Sequence, residues 1–103
     1  MSQKKKQIRQ QFRSAVFARD RYRCRVCGFQ STPEKAEEEL DAHHITDRNE
    51  MPNGGYVKEN GVSLCKEACH VEAELGSIDA VILYNLIGLS KEKAVKAAER
   101  RIT

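Results

Sequence analysis

Ile8, Phe12, Ala15 and Val16 recur at helical spacing, so roughly residues 5–19 read as an amphipathic helix. Tyr22 to Arg25 then read as extended, with a turn at Cys27-Gly28. Ser31-Thr32-Pro33 opens a polar stretch, and Glu34–Glu39 reads as a short helical turn or loop. Leu40 to Thr46 reads as a strand. Asp47 to Glu59 is a loop rich in Pro, Asn and Gly, and Asn60-Gly61 marks a turn or bulge before a second short strand, Val62 to Leu64. Lys66 to about Leu75 reads as a helix that Gly76 ends. Ser77 is placed to cap the next helix, Ile78–Ile87, and Ser90 a last one, Lys91–Arg101. Neither repeats nor a second domain are visible, so residues 1–103 are expected to form one domain.

Size changes how this pattern is read. An apolar core drawn from 103 residues, 40% of them hydrophobic and none of them Trp, leaves a thin stability margin, so a staple is expected. The longest apolar run, Ala80 to Tyr84, is far short of the roughly 18 residues a membrane span needs. Met1–Arg13 is basic and polar, unlike a secretory signal, and the expected location is the cytoplasm, with no membrane partner. There thiols stay reduced, which argues against disulfides. Cys24 and Cys27 are separated by two residues and Cys65 and Cys69 by three, both within zinc-ligand spacing. One structural Zn²⁺ held by these four sulfurs would supply the staple and contribute folding free energy directly.

Charge is unevenly spread. Residues 1–30 carry nine Lys or Arg and one Asp, a balance of +8, whereas residues 31–80 carry four basic and twelve acidic residues, a balance of −8. The remaining residues add +3, giving a net charge of +3. A basic arm beside an acidic centre fits a polyanion on one face and cation chemistry on the other. Arg9, Arg13, Arg19, Arg21, Arg23 and Arg25 lead into the first cysteine pair and suit planar phosphate contacts.

Of the three histidines, two lie between the cysteine pairs and the third directly follows Cys69. His43 and His44 are adjacent on the expected first strand and so point to opposite sides. Cys69 and His70 are neighbours on the expected helix, about 100° apart around its axis, so one can serve zinc while the other serves a second site. Glu74 shares the face of His70.

The ordered set His43-His44-Ile45, Asn60-Gly61, Leu64-Cys65 and Cys69-His70 resembles the HNH endonuclease motif of the ββα-metal nucleases. The run from Phe17 through Arg19, Asp20, Tyr22, Cys24 and Cys27 to Gly28 is similar to the same region of four-cysteine, zinc-containing members. The resemblance implies an α+β fold: a small ββα-metal core over about residues 17–75, stapled by the Cys₄ zinc site. An N-terminal helix and a C-terminal helical extension over about residues 77–101 flank it. It implies metal-dependent hydrolysis of DNA, with His44 as general base and Asn60 bracing the loop and orienting that base. It makes His43 and His70 ligands of one catalytic divalent cation (Mg²⁺, Mn²⁺ or similar), with Glu74 standing where many members place a third histidine. Arg48 is a candidate phosphate contact or a plain loop arginine, and Asp41, on the strand face of His43, is either a partner behind the ligands or a solvent-facing carboxylate. Two rival readings remain at this level: a non-catalytic zinc-stapled nucleic-acid-binding module, and a subunit docking on larger phage or restriction machinery. Leu83, Leu86, Ile87 and Leu89 would serve the second as an apolar face or simply pack the core. Oligomeric state is left open.

Overall fold

The computed structural model describes residues 3–101. The outermost two residues at each end of the expected 1–103 domain lie outside that range. The chain runs α1 (Gln3–Arg19), α2 (Ala36–Glu39), β1 (Leu40–His44), β2 (Gly61–Cys65), α3 (Cys69–Glu74), α4 (Ala80–Leu86) and α5 (Lys91–Arg100). Three 3₁₀ turns, Arg48–Glu50, Pro52–Gly55 and Lys58–Asn60, shape the segment between the strands. The expected α+β class with a strand, loop, strand and helix in that order is what forms. Among the described residues no helix is long and apolar enough to cross a membrane.

β1 and β2 pair antiparallel in the register Leu40↔Cys65, Ala42↔Ser63 and His44↔Gly61. Alternation then sends Leu40, Ala42 and His44 to one face and Asp41 and His43 to the other. α1 covers the first face, burying Phe12, Val16 and Phe17. α3 packs against β2, on the side to which Asp41 and His43 turn. Leu83 and Tyr84 of α4 and Ala94 and Ala98 of α5 join the same core cluster as Leu40, Val62 and Leu64.

Gly61 shows how tightly α1 is seated. A Cβ there would lie 2.5 Å from Val16 Cγ2 and 2.7 Å from Phe12 Cζ. The glycine is required by close approach, since its backbone is ordinary extended strand.

The end of α1 carries the main polar anchor. The Asp20 side chain is fully buried. It accepts from Arg19 Nε and Nη2 at 2.8 Å each, from Arg25 Nη1 at 3.0 Å and from the Ser63 amide at 2.8 Å. The two guanidiniums then reach outward: Arg19 donates to the carbonyls of Lys58 and Gly61, and Arg25 to that of Leu86. Arg21 and Tyr22 follow in the left-handed region, at φ 55° and 60°. That conformation costs an L-residue roughly 1–2 kcal/mol, and the Asp20 network fixes the chain on both sides of it. The expected extended run from Tyr22 to Arg25 is therefore a tight reversal, with a single bridge between Arg23 and Gln30.

Three boundaries differ from expectation for traceable reasons. β1 stops at His44 because Thr46 gives its amide to the Asn60 side chain, at 3.0 Å, rather than to a strand partner. α3 starts at Cys69, not Lys66, because residues 66–68 wrap the Cys65 sulfur, which accepts from the Cys69 amide at 3.3 Å. α4 is capped by Asp79, whose Oδ1 accepts from the Ile82 amide at 3.0 Å. Ser77 instead spends its amide on Glu72 O, closing α3 beyond Gly76 at φ +85°. Ser90 caps α5 as expected, through the Lys93 amide.

Asp20→Ala should cost about 3 kcal/mol in denaturant unfolding, because it strands two guanidiniums and a buried amide together. Gly61→Ala should cost about 1–3 kcal/mol by the same measurement, because neither Phe12 nor Val16 has space to retreat.

Candidate active site

Two clusters of ligand atoms flank α3. The sulfurs of Cys24, Cys27, Cys65 and Cys69 all lie within 4.8 Å of one another. None is disulfide-bonded. Cys27 Sγ and Cys65 Sγ stand 3.8 Å apart. Four sulfurs at about 2.3 Å from a central ion sit about 3.8 Å apart, so the spacing fits a tetrahedral zinc site and far exceeds an S–S bond. The turn from Cys24 to Gly28 presents the first pair, with Gly28 donating to Cys24 O at 3.0 Å and taking φ +84°. Burial opposes ionisation of Cys24, but backbone contacts from Cys27, Cys65 and Val26 overcome it and bring the thiol down to about 7. Burial and the other three sulfurs push Cys69 up. Sulfurs that resist joint ionisation in so small a space are a natural seat for a cation. The donor set therefore fits the structural zinc expected from spacing.

The second cluster is His43, His70 and Glu74, again with ligand atoms within 4.8 Å of one another. His70 Nε2 lies 3.1 Å from Glu74 Oε1, and His43 Nδ1 lies 3.8 Å from that same oxygen. The other nitrogen of His70, Nδ1, is 2.8 Å from Asp41 Oδ2. That pairing fixes the imidazole plane and leaves Nε2 turned toward His43 and Glu74, as carboxylates behind metal-binding histidines do. Burial lowers the His43 pKa, His70 adds to the effect, and Glu74 and Asp41 oppose it. A neutral imidazole is the form that ligates. Two nitrogens and one carboxylate oxygen on a half-open surface fit a divalent cation with room for further ligands. The neighbours Cys69 and His70 thus serve different clusters.

His44 faces the opposite side of β1. Its ring stacks on Phe12, with centroids 4.4 Å apart, and meets the Tyr56 ring edgewise at 4.9 Å. Nε2 is buried and has no hydrogen-bond partner among the described residues. Burial lowers the His44 pKa, with His43 and Arg48 adding to the effect. His43, His44, Arg48, His70 and Glu74 line one pocket of about 560 Å³, which Asp47 also borders.

Asn60 is fully buried below this pocket. Its Oδ1 accepts from the Thr46 amide at 3.0 Å and from the Tyr84 hydroxyl at 2.7 Å. Its Nδ2 donates to Thr46 O at 3.0 Å and Gly55 O at 3.3 Å. Both ends of the interstrand segment are clamped by one side chain, next to the strand end that carries His44. Gly55, at φ +65°, has no room for a Cβ, which would fall 2.6 Å from Asn60 Nδ2.

Residues 24–74 match the family model of the HNH endonucleases. The chain belongs to the HNH endonuclease family. The match opens on the first cysteine of the sulfur cluster and closes on Glu74, so it takes in both clusters and Asn60. An HNH domain points to a nuclease or nucleic-acid-binding role, with DNA as substrate or partner. No curated protein and no solved structure gives a significant match.

The arginines expected to contact phosphate divide sharply within this HNH chain. Arg19 and Arg25 are consumed by Asp20 and by carbonyls. Arg13 pairs with Glu37 at 3.2 Å, and Arg23 donates to Gln30 at 3.2 Å. Arg48 stays at the pocket and donates to the Tyr56 hydroxyl at 3.2 Å. Phe12, Tyr56 and Tyr84 were not singled out from sequence as parts of the site. Each acts through contacts distant in the chain, and only the aromatic Tyr56 inside a Pro/Asn/Gly-rich loop was a local signal.

Purified protein should contain one zinc ion per chain by elemental analysis. Cys65→Ser should lose that zinc and unfold at lower denaturant concentration, since Cys65 Sγ contacts both Cys27 and the Cys69 amide.

Proposed function

We propose that this HNH protein is a metal-dependent DNA endonuclease that hydrolyses phosphodiester bonds. The observation that carries the reading is the convergence of His43, His70 and Glu74 on one point in the pocket that His44 also lines. His44 takes the proton from the attacking water. Its packing between Phe12 and Tyr56 keeps it neutral and holds its plane, which suits a general base. Asn60 positions that base through the Thr46 backbone instead of touching substrate. His43, His70 and Glu74 would hold the catalytic cation, and Asp41 orients His70. When bound, a divalent ion there supplies charge stabilisation at the scissile phosphate and at the leaving 3′ oxygen. Arg48 lies at the pocket rim, where it can take a phosphate oxygen from the same strand.

The structural zinc plays no part in the chemistry in this reading. It fixes Cys69, and with it the direction in which His70 projects.

Plasmid DNA incubated with Mg²⁺, Mn²⁺ or a similar ion should be nicked or cut by the wild type. His44→Ala should slow cleavage by about 10²–10⁴-fold while keeping its zinc. Equal rates in the two proteins, or no cleavage by the wild type with any ion, would sink the catalytic reading. DNA binding without cleavage would favour a zinc-stapled binding module.

A further inference from the structure

A second concavity, of about 400 Å³, adjoins the pocket. Arg48 and Asn49 line both, so the two are continuous. Lys5 and Arg9 from α1 and Arg101 after α5 complete the cationic lining, and no carboxylate is among the described lining residues. The first pocket, by contrast, is bordered by Asp47 and Glu74.

Guanidiniums from two separate elements meet at one neutral oxygen. Arg48 Nη1 donates to the Tyr56 hydroxyl at 3.2 Å, and Arg9 hydrogen-bonds to the same group. Burial pushes the phenol pKa up, but the two arginines overcome this and lower it. Arg101 adds a second, independent sign: its Nη1 is buried and has no hydrogen-bond partner among the described residues. Like charges gathered around a neutral acceptor, with one cationic donor unused among the described residues, make the groove a favourable seat for an anion.

The groove is also held in place. Asn53 Nδ2 donates to Ala98 O at 2.8 Å and to Arg101 O at 3.1 Å, tying the end of α5 to the interstrand segment. The Tyr56 ring forms its wall and touches Phe12 and His44, so groove and pocket share one aromatic support. Lys5, Arg9 and Arg101 all fall outside the family-matched residues 24–74. The groove thus joins residues of the matched HNH core to residues on either side of it.

We propose that the groove is a phosphodiester subsite, in which Lys5, Arg9 and Arg101 hold the DNA backbone beyond the phosphate that Arg48 takes at the junction. The assignment rests on DNA being the substrate or partner of the pocket. Continuity with the pocket makes the groove a track for the same strand. Contacts to phosphate alone carry no base readout, so the subsite adds affinity and register without sequence preference.

The test is binding of a labelled DNA duplex by fluorescence anisotropy across a salt series. It is run in the His44→Ala background and in wild type without added divalent cation. Lys5→Gln/Arg101→Gln should weaken binding by about tenfold or more at ~0.1 M salt and reduce the slope of log K against log [salt] by about two. Lys91→Gln/Lys96→Gln removes the same charge from exposed positions on α5 and should change neither markedly. Equal losses in the two double variants would show that only net charge matters and would overturn the proposal. So would no loss in the groove variant, or a loss seen with an RNA duplex and not with DNA. Zinc content confirms that each variant is folded. Plasmid cleavage is scored separately: its failure with the groove effect intact would refute the nuclease and leave the subsite standing.

Discussion

The buried carboxylate of Asp20 is the point from which the rest of the molecule is braced. It gathers donors from α1, from the cysteine turn and from β2, and the arginines it holds extend the grip to Lys58, Gly61 and Leu86. A fully buried charge is costly unless every lone pair is met, and here both oxygens are met by charged or backbone donors. The arrangement replaces apolar area that so small a chain lacks. It also locks the left-handed pair Arg21 and Tyr22, which aims the first cysteine pair at the second.

From that brace, the two ligand clusters follow in order. The Cys24 turn reaches the end of β2, the sulfurs seat the start of α3, and α3 presents His70 and Glu74 to His43. On the other face α1 supplies Phe12 to His44. The site is thus assembled from opposite sides of a two-stranded sheet, with Asn60 clamping the long segment that joins the strands.

What could be read from the chain and what could not divides by distance. The cysteine pairs were legible because each lies within about one turn, and the divergent directions of Cys69 and His70 follow from helical geometry alone. The cap at Ser90 and the turn at Gly28 were legible for the same reason. Asp20 was not, because its meaning depends on Ser63 and Arg25, and an Asp beside Arg19 reads equally well as a surface pair. Arg19 and Arg25 looked like phosphate contacts since nothing local distinguishes a guanidinium bound for a buried carboxylate from one bound for solvent. Ser77 reads from sequence as the cap of α4, but the carbonyl of Glu72 claims its amide to close α3, and Asp79 takes the capping role. The aromatic cage of His44 joins positions 12, 44 and 56, and no local pattern links them.

α3 is six residues long, too short to hold its shape unaided in water. Its order comes from what is attached to its two sides: sulfur at its first residue, imidazole and carboxylate further along. An ion among the sulfurs and an ion at His43, His70 and Glu74 would therefore draw on the same ordering entropy. An ion that ordered the helix from one side would lower the cost of binding at the other, and linkage would make the benefit equal in both directions. The two clusters share one short helix and have no ligand in common.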